Sequence, residues 1–506
     1  MRKVANFIEK AFWFFCFIFF IVIISVVLQK PQNNLVPSRM CLFTIVWLVM
    51  LVVCRLIIHF LMTKLEKANV NIAKLSNRGI YIYTCLYGVF IFVISMLIRN
   101  EPVTDYQSVY DAAWNLANGL DVTNWEYFAR WTNNTSAMTI LSFYMKLGMG
   151  FGLTDPYPFI LIINVLCVGF SLISTYYFAL KMSGKSYEFT WMTVVIYSLW
   201  TPIWSNTTSF YSDQLSFGLG IIGFSLLLYA IENKKKSGIL FCLVAGAIIG
   251  LGASIKVTTA IPLIAFGIYK LITLLRESCT INKILYKMKD YVLFVISFVV
   301  VLVGISFYND GYPSANMEYK MQMPIEYWLT IGMNGDGSYA ANEEFALELM
   351  NADNIEVRKE MCHDKMQEYM PNLFDINHIT QKVSRIFGSG DISATSIIYP
   401  YRENLLTEAF SEYGDYYWKY TCLSTSFFFA ILIWMACGAL MQMVNYKVDS
   451  IAFWVYVSIF GLFLFLLMWE AQNKQLYNNL PWVTLAATYG IERLIEYVRV
   501  KSKRSK

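Results

Sequence analysis

Arg99 to Asn134 reads RNEPVTDYQSVYDAAWNLANGLDVTNWEYFARWTNN. It follows an apolar run without a break, yet it is polar, aromatic and rich in turn formers. Thr104 and Gln107 have the spacing of a capping box, with Thr104 as N-cap and Gln107 reaching back from the third helical position. Apolar residues then recur at Tyr106, Val109, Tyr110, Ala113, Leu116 and Ala117, one face of a helix that Gly119 would stop. Asp105 is therefore expected in the first turn of a short amphipathic helix lying on a membrane surface, where the helix dipole stabilises an acid. Two readings of Asp105 follow. It is a general base held at the rim of a membrane enzyme, or an acid that helps cap the helix.

Working outward, the chain of 506 residues is 57% hydrophobic and 17% aromatic, with mean hydropathy +0.48. Those values exclude an ordinary soluble domain and indicate an all-α polytopic membrane protein. Twelve apolar runs begin near Ala11, Met40, Ile80, Phe159, Phe189, Leu215, Ile239, Thr258, Tyr291, Cys422, Ile451 and Leu480. The Ala11 run is long enough to span and no small-residue cleavage site follows it, so it reads as a retained helix. Lysines and arginines fall in alternate loops: Lys64, Lys67, Lys74 and Arg78; Lys181 and Lys185; Lys234 to Lys236; Arg276, Lys283, Lys287 and Lys289; Lys447; and the tail after Arg499. The positive-inside rule then places both termini in the cytoplasm of a multi-pass protein of the plasma membrane. The Asp105 loop and the polar segment 309–421 fall outside. Charge parity also makes Ser136 to Gly152 a second surface-lying helix. It ends at the Gly148–Gly152 run.

The net charge of +5 is small for this length, and acids outnumber bases in the outer segment. No nucleic-acid surface is indicated. Eight of the ten cysteines lie in apolar runs, and Cys279 and Cys362 are not placed to form a bridge. The three histidines lack metal-ligand spacing. Arg55 and His59 lie four apart in the second run, and the plain reading is that Arg55 pairs with another span. The glycine-rich Ile331 to Tyr339 lacks the Lys-Ser/Thr of a phosphate loop and reads as a turn-rich loop. Ala340 to Met370 and Asp375 to Phe387 read as helices of an extracytoplasmic cap, helical or mixed in structure.

Several ionisable groups are expected at one outer level. Asp213, in NTTSFYSDQLS (Asn206 to Ser216), opens the sixth run. It reads as a second acid facing Asp105, or as another helix N-terminal acid. Lys256 sits at the tip of GLGASIKVT (Gly250 to Thr258), and Glu470 and Lys474 lie in WEAQNKQLYNNLP (Trp469 to Pro481). A lone cation at a rim is a snorkelling anchor or a lipid-phosphate ligand.

Taken in order, these pieces resemble a family. The Asp-bearing outer loop, Tyr-Phe-x-Arg-x-x-Asn-Asn (Tyr127 to Asn134), Tyr-Ser-Asp (Tyr211 to Asp213) and the Gly250 to Thr258 stretch are joined by Tyr-Trp-Leu-x-x-Gly-Met (Tyr327 to Met333) and the Trp469 to Pro481 loop. Together they resemble the GT-C superfamily of glycosyltransferases, in particular bacterial relatives of protein O-mannosyltransferases and of the lipid A aminoarabinose transferase. The chain departs from that pattern at Lys474-Gln475, where relatives often carry Arg-Tyr. The resemblance implies a GT-C-like transmembrane core over 80–308, with its catalytic outer loop at 99–158. Two added N-terminal helices would occupy 1–79, the outer segment 309–421, and C-terminal helices with a basic tail 422–506.

It also implies inverting transfer of a sugar from a polyprenyl-phosphate donor to an extracytoplasmic acceptor. The acceptor class, whether wall polysaccharide, teichoic acid, lipid or protein, stays open. Asp105, with Asp213 as second acid, would supply catalysis. Arg130, Lys256 and Lys474 would hold the donor phosphate, and Asp111, Tyr211, Glu470 and Asn134 would line the acceptor side. The resemblance implies no certain cofactor. A divalent ion shared by Asp105, Asp213 and Glu470 stays open, since their spacing does not demand one. The rival readings are a secondary transporter and a flippase or assembly protein without sugar transfer. Against a transporter, the ionisable groups gather at the outer rim and not at the bilayer midplane.

Overall fold

The computed structural model describes residues 2–33, 35–232, 236–277, 281–311, 321–392 and 402–504. Cys279 and the cations Lys234 and Lys235 lie outside the described residues. The chain is helical, with no strand among the described residues. In chain order the helices are α1 (Arg2–Gln29), α2 (Pro37–Lys67), α3 (Ile72–Leu97), α4 (Thr104–Ala117), α5 (Trp125–Arg130), α6 (Thr135–Gly150), α7 (Tyr157–Met182), α8 (Tyr187–Ser198), α9 (Thr201–Asn206), α10 (Ser212–Leu215) and α11 (Leu219–Glu232). They continue as α12 (Lys236–Ile255), α13 (Ile261–Glu277), α14 (Ile281–Gly311), α15 (Ile325–Gly332), α16 (Glu343–Met350), α17 (Ile355–Tyr369), α18 (Ile376–Phe387), α19 (Leu405–Phe410), α20 (Tyr417–Val444), α21 (Ser450–Met468) and α22 (Leu480–Arg504).

Ten helical stretches among the described residues are long and apolar enough to cross a membrane. The other two of the twelve expected runs are helical but differ in kind. The Phe189 run breaks after Ser198, because Pro202 opens a new short helix at Thr201. The Leu480 run forms α22, whose C-terminal half turns charged. It packs inside the bundle against α20, α8 and α21.

The two helices that precede the expected core pack into the bundle. Helix α1 packs on α20 and α13, and α2 packs on α20 and α8. Glu9, fully buried on α1, pairs with Arg276 of α13 and accepts a hydrogen bond from Tyr446 at 3.0 Å. Arg55 on α2 pairs with Glu188 of α8 and Glu492 of α22, and Glu188 also meets His59 Nδ1 at 2.7 Å. A buried guanidinium needs such partners to offset desolvation. This ionic knot marks one end of the bundle, together with Lys447 and Glu496.

The opposite end carries α4 to α6, the α9–α10 corner, the α12–α13 turn, the α21–α22 loop and the cap. Helix α4 buries Tyr106, Val109, Ala112, Ala113 and Ala117 in one apolar cluster with Met138 and Leu141 of α6. The expected helical cap is present as α15 to α19. The Ala340 to Met370 stretch is interrupted at 351–354, where the Asn354 side chain accepts the Val357 amide at 3.0 Å and starts α17. Asp375 caps α18 in the same way through the Asn377 amide, 3.0 Å. Part of the cap has its own core, built from Tyr327, Ile331, Phe345, Leu349 and Cys362. Cys362 is fully buried there.

Candidate active site

Asp105 lies in the first turn of α4, as expected, and its side chain is exposed. The local capping differs from the sequence reading. Val103 is the N-cap, in extended conformation, and no side chain caps the helix. Thr104 is the first helical residue with φ +50°, a left-handed conformation that a β-branched residue adopts only under strain. The Gln107 amide bonds the Val103 carbonyl at 3.1 Å. The capping box therefore does not form, because the chain turns into α4 one residue earlier than the motif implies.

Around Asp105 stands a set of aromatic hydroxyls and one amide. Burial and then the Asp105 charge push the Tyr127 phenol up. Asn134, buried at the start of α6, donates through Nδ2 to Tyr127 Oη at 2.7 Å and accepts from Tyr211 Oη at 3.2 Å. This fixes the amide and both rings at once. Tyr211 is itself raised by burial, by Tyr127, and by the charges of Asp105 and Asp213. Lys474 Nζ lies 5.6 Å from the centre of the Tyr211 ring.

Asp213 and Lys256 form an ion pair, each side chain about 10% exposed. Burial pushes the Lys256 ammonium down while Asp213 holds it up, and Lys474 repels it. Glu470 is 5% exposed, and its Oε1 accepts from Gln472 Nε2 at 2.5 Å. Burial raises the Glu470 carboxyl, and Lys474 and Lys256 draw it back. The loop that carries Glu470 is tied to α10 by Tyr477 Oη donating to Gln214 at 2.7 Å and Asn478 Nδ2 donating to Ser216 at 2.8 Å. Those two bonds bring residues more than two hundred and fifty positions apart to one level.

Arg130 ends α5 and lines a cavity of about 700 Å³. Its guanidinium has no ion pair or hydrogen bond among the described residues. Its carbonyl accepts the Met323 amide at 3.1 Å, and Gln322 Nε2 donates to Thr132 Oγ1 at 3.2 Å, so the cap is stitched to this loop. Tyr339 of the cap feels both charges: burial, Glu343 and Asp105 raise it, and Arg130 lowers it. The charges of Asp105 and Arg130 thus both act on Tyr339. The cavity is polar near Arg130, with Thr132, Asn133 and Gln322, and apolar along Leu302, Ala253, Val257 and Phe465. Leu302 lies seven residues before Asn309 on α14, which places it about 10 Å deeper at the rise of a helix.

Of the residues expected to meet here, Asp105, Tyr211, Asn134, Asp213, Lys256, Glu470 and Lys474 form one electrostatically connected group, and Arg130 joins it through Tyr339. Asp111 does not. It is exposed, bonded to Gln107, and six residues on from Asp105, which turns it about 120° around the helix. Asp213 does not stand free as a second acid, because Lys256 occupies it. Among the described residues no three His, Cys, Asp or Glu side chains are placed to share a metal ion.

The sequence reading assigned no role to Lys382. It is 1% exposed on the apolar face of α18, and its ammonium donates to the Gly332 carbonyl. Burial pushes it down to about 7, against the pull of Glu470. With His378 Nδ1 at 2.8 Å from the Gly335 carbonyl, Lys382 clasps the glycine-rich loop, whose Gly337 carbonyl accepts the Ala471 amide at 2.8 Å. The signal was a cation placed among His378, Val383, Ile386 and Phe387, all buried on the same helix.

Residues 1–494 match the model of a family described as conserved hypothetical integral membrane protein, and the chain belongs to that family. No curated protein sequence matches it. Two solved structures are similar over 83% of this chain. One is the archaeal oligosaccharyltransferase AglB from Archaeoglobus fulgidus in complex with an inhibitory peptide and a dolichol-phosphate, at 12% identity and TM-score 0.43, with 51% of that chain covered. The other is the Archaeoglobus fulgidus oligosaccharyltransferase tethered to an acceptor peptide, at 12% identity and TM-score 0.39, with 50% covered. The chain spans about half the length of these structures.

Proposed function

We propose that this integral membrane protein is a glycosyltransferase that moves a sugar from a polyprenyl-phosphate donor to a hydroxyl of an extracytoplasmic acceptor, with inversion. One observation carries the reading. Arg130, without an acid partner among the described residues, lines a cavity that offers both polar groups (Thr132, Asn133, Gln322) and apolar ones (Leu302, Phe465), and the charges of Arg130 and of the exposed Asp105 both act on Tyr339. Such a cavity suits an amphiphile with an anionic head, because the guanidinium forms paired charged hydrogen bonds to phosphate. A lipid chain would lie along Leu302 and Phe465.

In this reading the acceptor oxygen attacks the anomeric carbon as the bond from that carbon to the phosphate oxygen breaks. The electron pair leaves with the lipid phosphate, stabilised by Arg130 and by Lys474. The proton of the acceptor hydroxyl passes to the Asp105 carboxylate. Asp213 keeps Lys256 charged and in place, and the Tyr127–Asn134–Tyr211 chain holds the wall beside the base.

The test is transfer from a purified polyprenyl-phosphate sugar by wild type and Asp105→Asn. Loss of a positioned base costs about a hundred- to ten-thousand-fold in rate. No side chain caps α4 in the wild type, so the Asn variant is expected to keep the wild-type thermal unfolding. A folded Asn variant that retains most of the transfer rate removes Asp105 as base.

A further inference from the structure

Three tryptophans from separate parts of the chain stand side by side on the wall of the Arg130 cavity. Trp131 follows α5, Trp328 lies on α15 and Trp469 follows α21. Trp131 and Trp328 have ring centres 5.5 Å apart, tilted by 43°. Trp328 and Trp469 are 6.4 Å apart and within 21° of parallel. Phe465 continues the row at 5.1 Å and 23° from Trp469. All four rings are half-buried, so part of each is left to the cavity.

An interfacial aromatic belt does not account for this wall. Belt residues stand largely exposed on the outside of the bundle, as Phe307 and Trp418 do here at 78% and 49% exposure. Trp131, Trp328 and Trp469 instead line a half-open cavity whose other lining includes Thr132, Asn133, Gln322, Ser254 and Ser306. A bare hydrocarbon chain has no use for those donors and acceptors. A ligand with one flat C–H face and a hydroxyl-bearing edge uses both.

The backbone behind the wall also holds it in place. Gly332 ends α15 directly against α21, where a Cβ would meet the Met468 carbonyl oxygen at 2.5 Å and the Trp469 carbonyl oxygen at 2.7 Å. No flexible side chain lies between them, so Trp328 and Trp469 keep a fixed spacing. Preorganised rings lose little freedom on binding.

We propose that Trp131, Trp328 and Trp469 form a saccharide platform, on which a pyranose ring lies face-on while its hydroxyl edge meets the polar side of the cavity. This rests on the sugar-transfer reading of the same site and names the chemistry it recognises. The ring is carried by the lipid donor or by a glycan acceptor.

The experiment is saturation-transfer NMR on the full chain in lipid nanodiscs, which avoids maltoside detergents whose head groups are themselves pyranosides. The probes are methyl gluco-, galacto- and mannopyranoside, with sorbitol as an open-chain polyol and farnesyl phosphate as a lipid phosphate without sugar. Irradiation of the aromatic protons is expected to saturate the C–H face of at least one pyranoside and not sorbitol. Trp328→Ala should weaken that pyranoside about two- to tenfold, the scale of one aromatic contact, and Trp328→Phe should keep most of it. Gly332→Ala, which removes no ring, should weaken it as well by moving Trp328 off Trp469.

Competition by farnesyl phosphate would assign the ring to the donor, and its absence to the acceptor. The proposal is overturned if no pyranoside is saturated above sorbitol, or if a folded Trp328→Ala binds as wild type does. It is also overturned if Trp328→Ala weakens farnesyl phosphate and leaves the pyranosides unchanged. Should Trp328→Ala not fold, the wild-type, Trp328→Phe and Gly332→Ala arms decide. Because no transfer is measured, failure of Asp105 as base and failure of the platform are read separately.

Discussion

Asp213→Asn tests whether this acid serves Lys256 or the reaction. Both side chains of the pair are about 10% exposed, so neither charge is well solvated on its own. Removing the carboxylate leaves the ammonium buried, with Lys474 repelling it and Glu470 as the remaining attraction. Breaking one side of a buried pair costs about 3–5 kcal/mol, whereas replacing both charges with neutral groups of similar volume is often close to neutral. Asp213→Asn should therefore destabilise the protein strongly, and Lys256→Met added to it should restore much of the loss. The coupling between the two changes should exceed about 2 kcal/mol, well above the additivity error for distant sites. Thermal unfolding of the single and double variants in one nanodisc preparation reads this directly. If the double variant unfolds as the sum of the singles, the pair does not hold the α10 corner to the α12–α13 turn. An unperturbed Asp213→Asn that has lost transfer would return Asp213 to the role of a catalytic acid.

Arg130→Gln should weaken binding of a polyprenyl phosphate about ten- to hundredfold, since a charged hydrogen bond to phosphate is worth about 1.5–3 kcal/mol. Equilibrium binding of farnesyl phosphate checks it, and unchanged affinity would remove Arg130 from the site. Lys382→Met should change the pH dependence of stability. The folded amine sits at about 7 and the unfolded one near 10.5. Between those values the unfolded chain binds the extra proton, so wild-type stability falls as pH drops through that window and levels off below it. The melting temperature of the variant relative to wild type should therefore rise from pH 10 to pH 7. A constant difference would show that Lys382 titrates normally. For topology, Cys362 is buried and cannot report on a soluble thiol reagent in the folded protein. Glu360→Cys, exposed on the same helix, should be labelled on intact cells and Lys67→Cys should not; the reverse pattern would place the Asp105 end in the cytoplasm.

The helices were legible because their causes are local. An apolar run of about twenty residues can satisfy its backbone only as a helix in lipid, and the period of Tyr106, Val109 and Ala113 marks α4 whatever it packs against. The level at which the site groups gather was also legible, since each lies next to the end of a run. What these groups do to one another was not. Asp213 read as an acid and became the partner of Lys256, because the α10 corner docks on the α12–α13 turn and two buried charges must meet or be neutralised. Thr104 read as a cap and took φ +50° instead, because the route of the chain into α4 is set by how α4 seats on α6. Lys382 and the Trp131, Trp328 and Trp469 wall join segments up to more than three hundred residues apart. Sequence periodicity ends with each helix, whereas charge pairing and ring stacking act over a few ångströms between helices, so only the packed bundle could decide them.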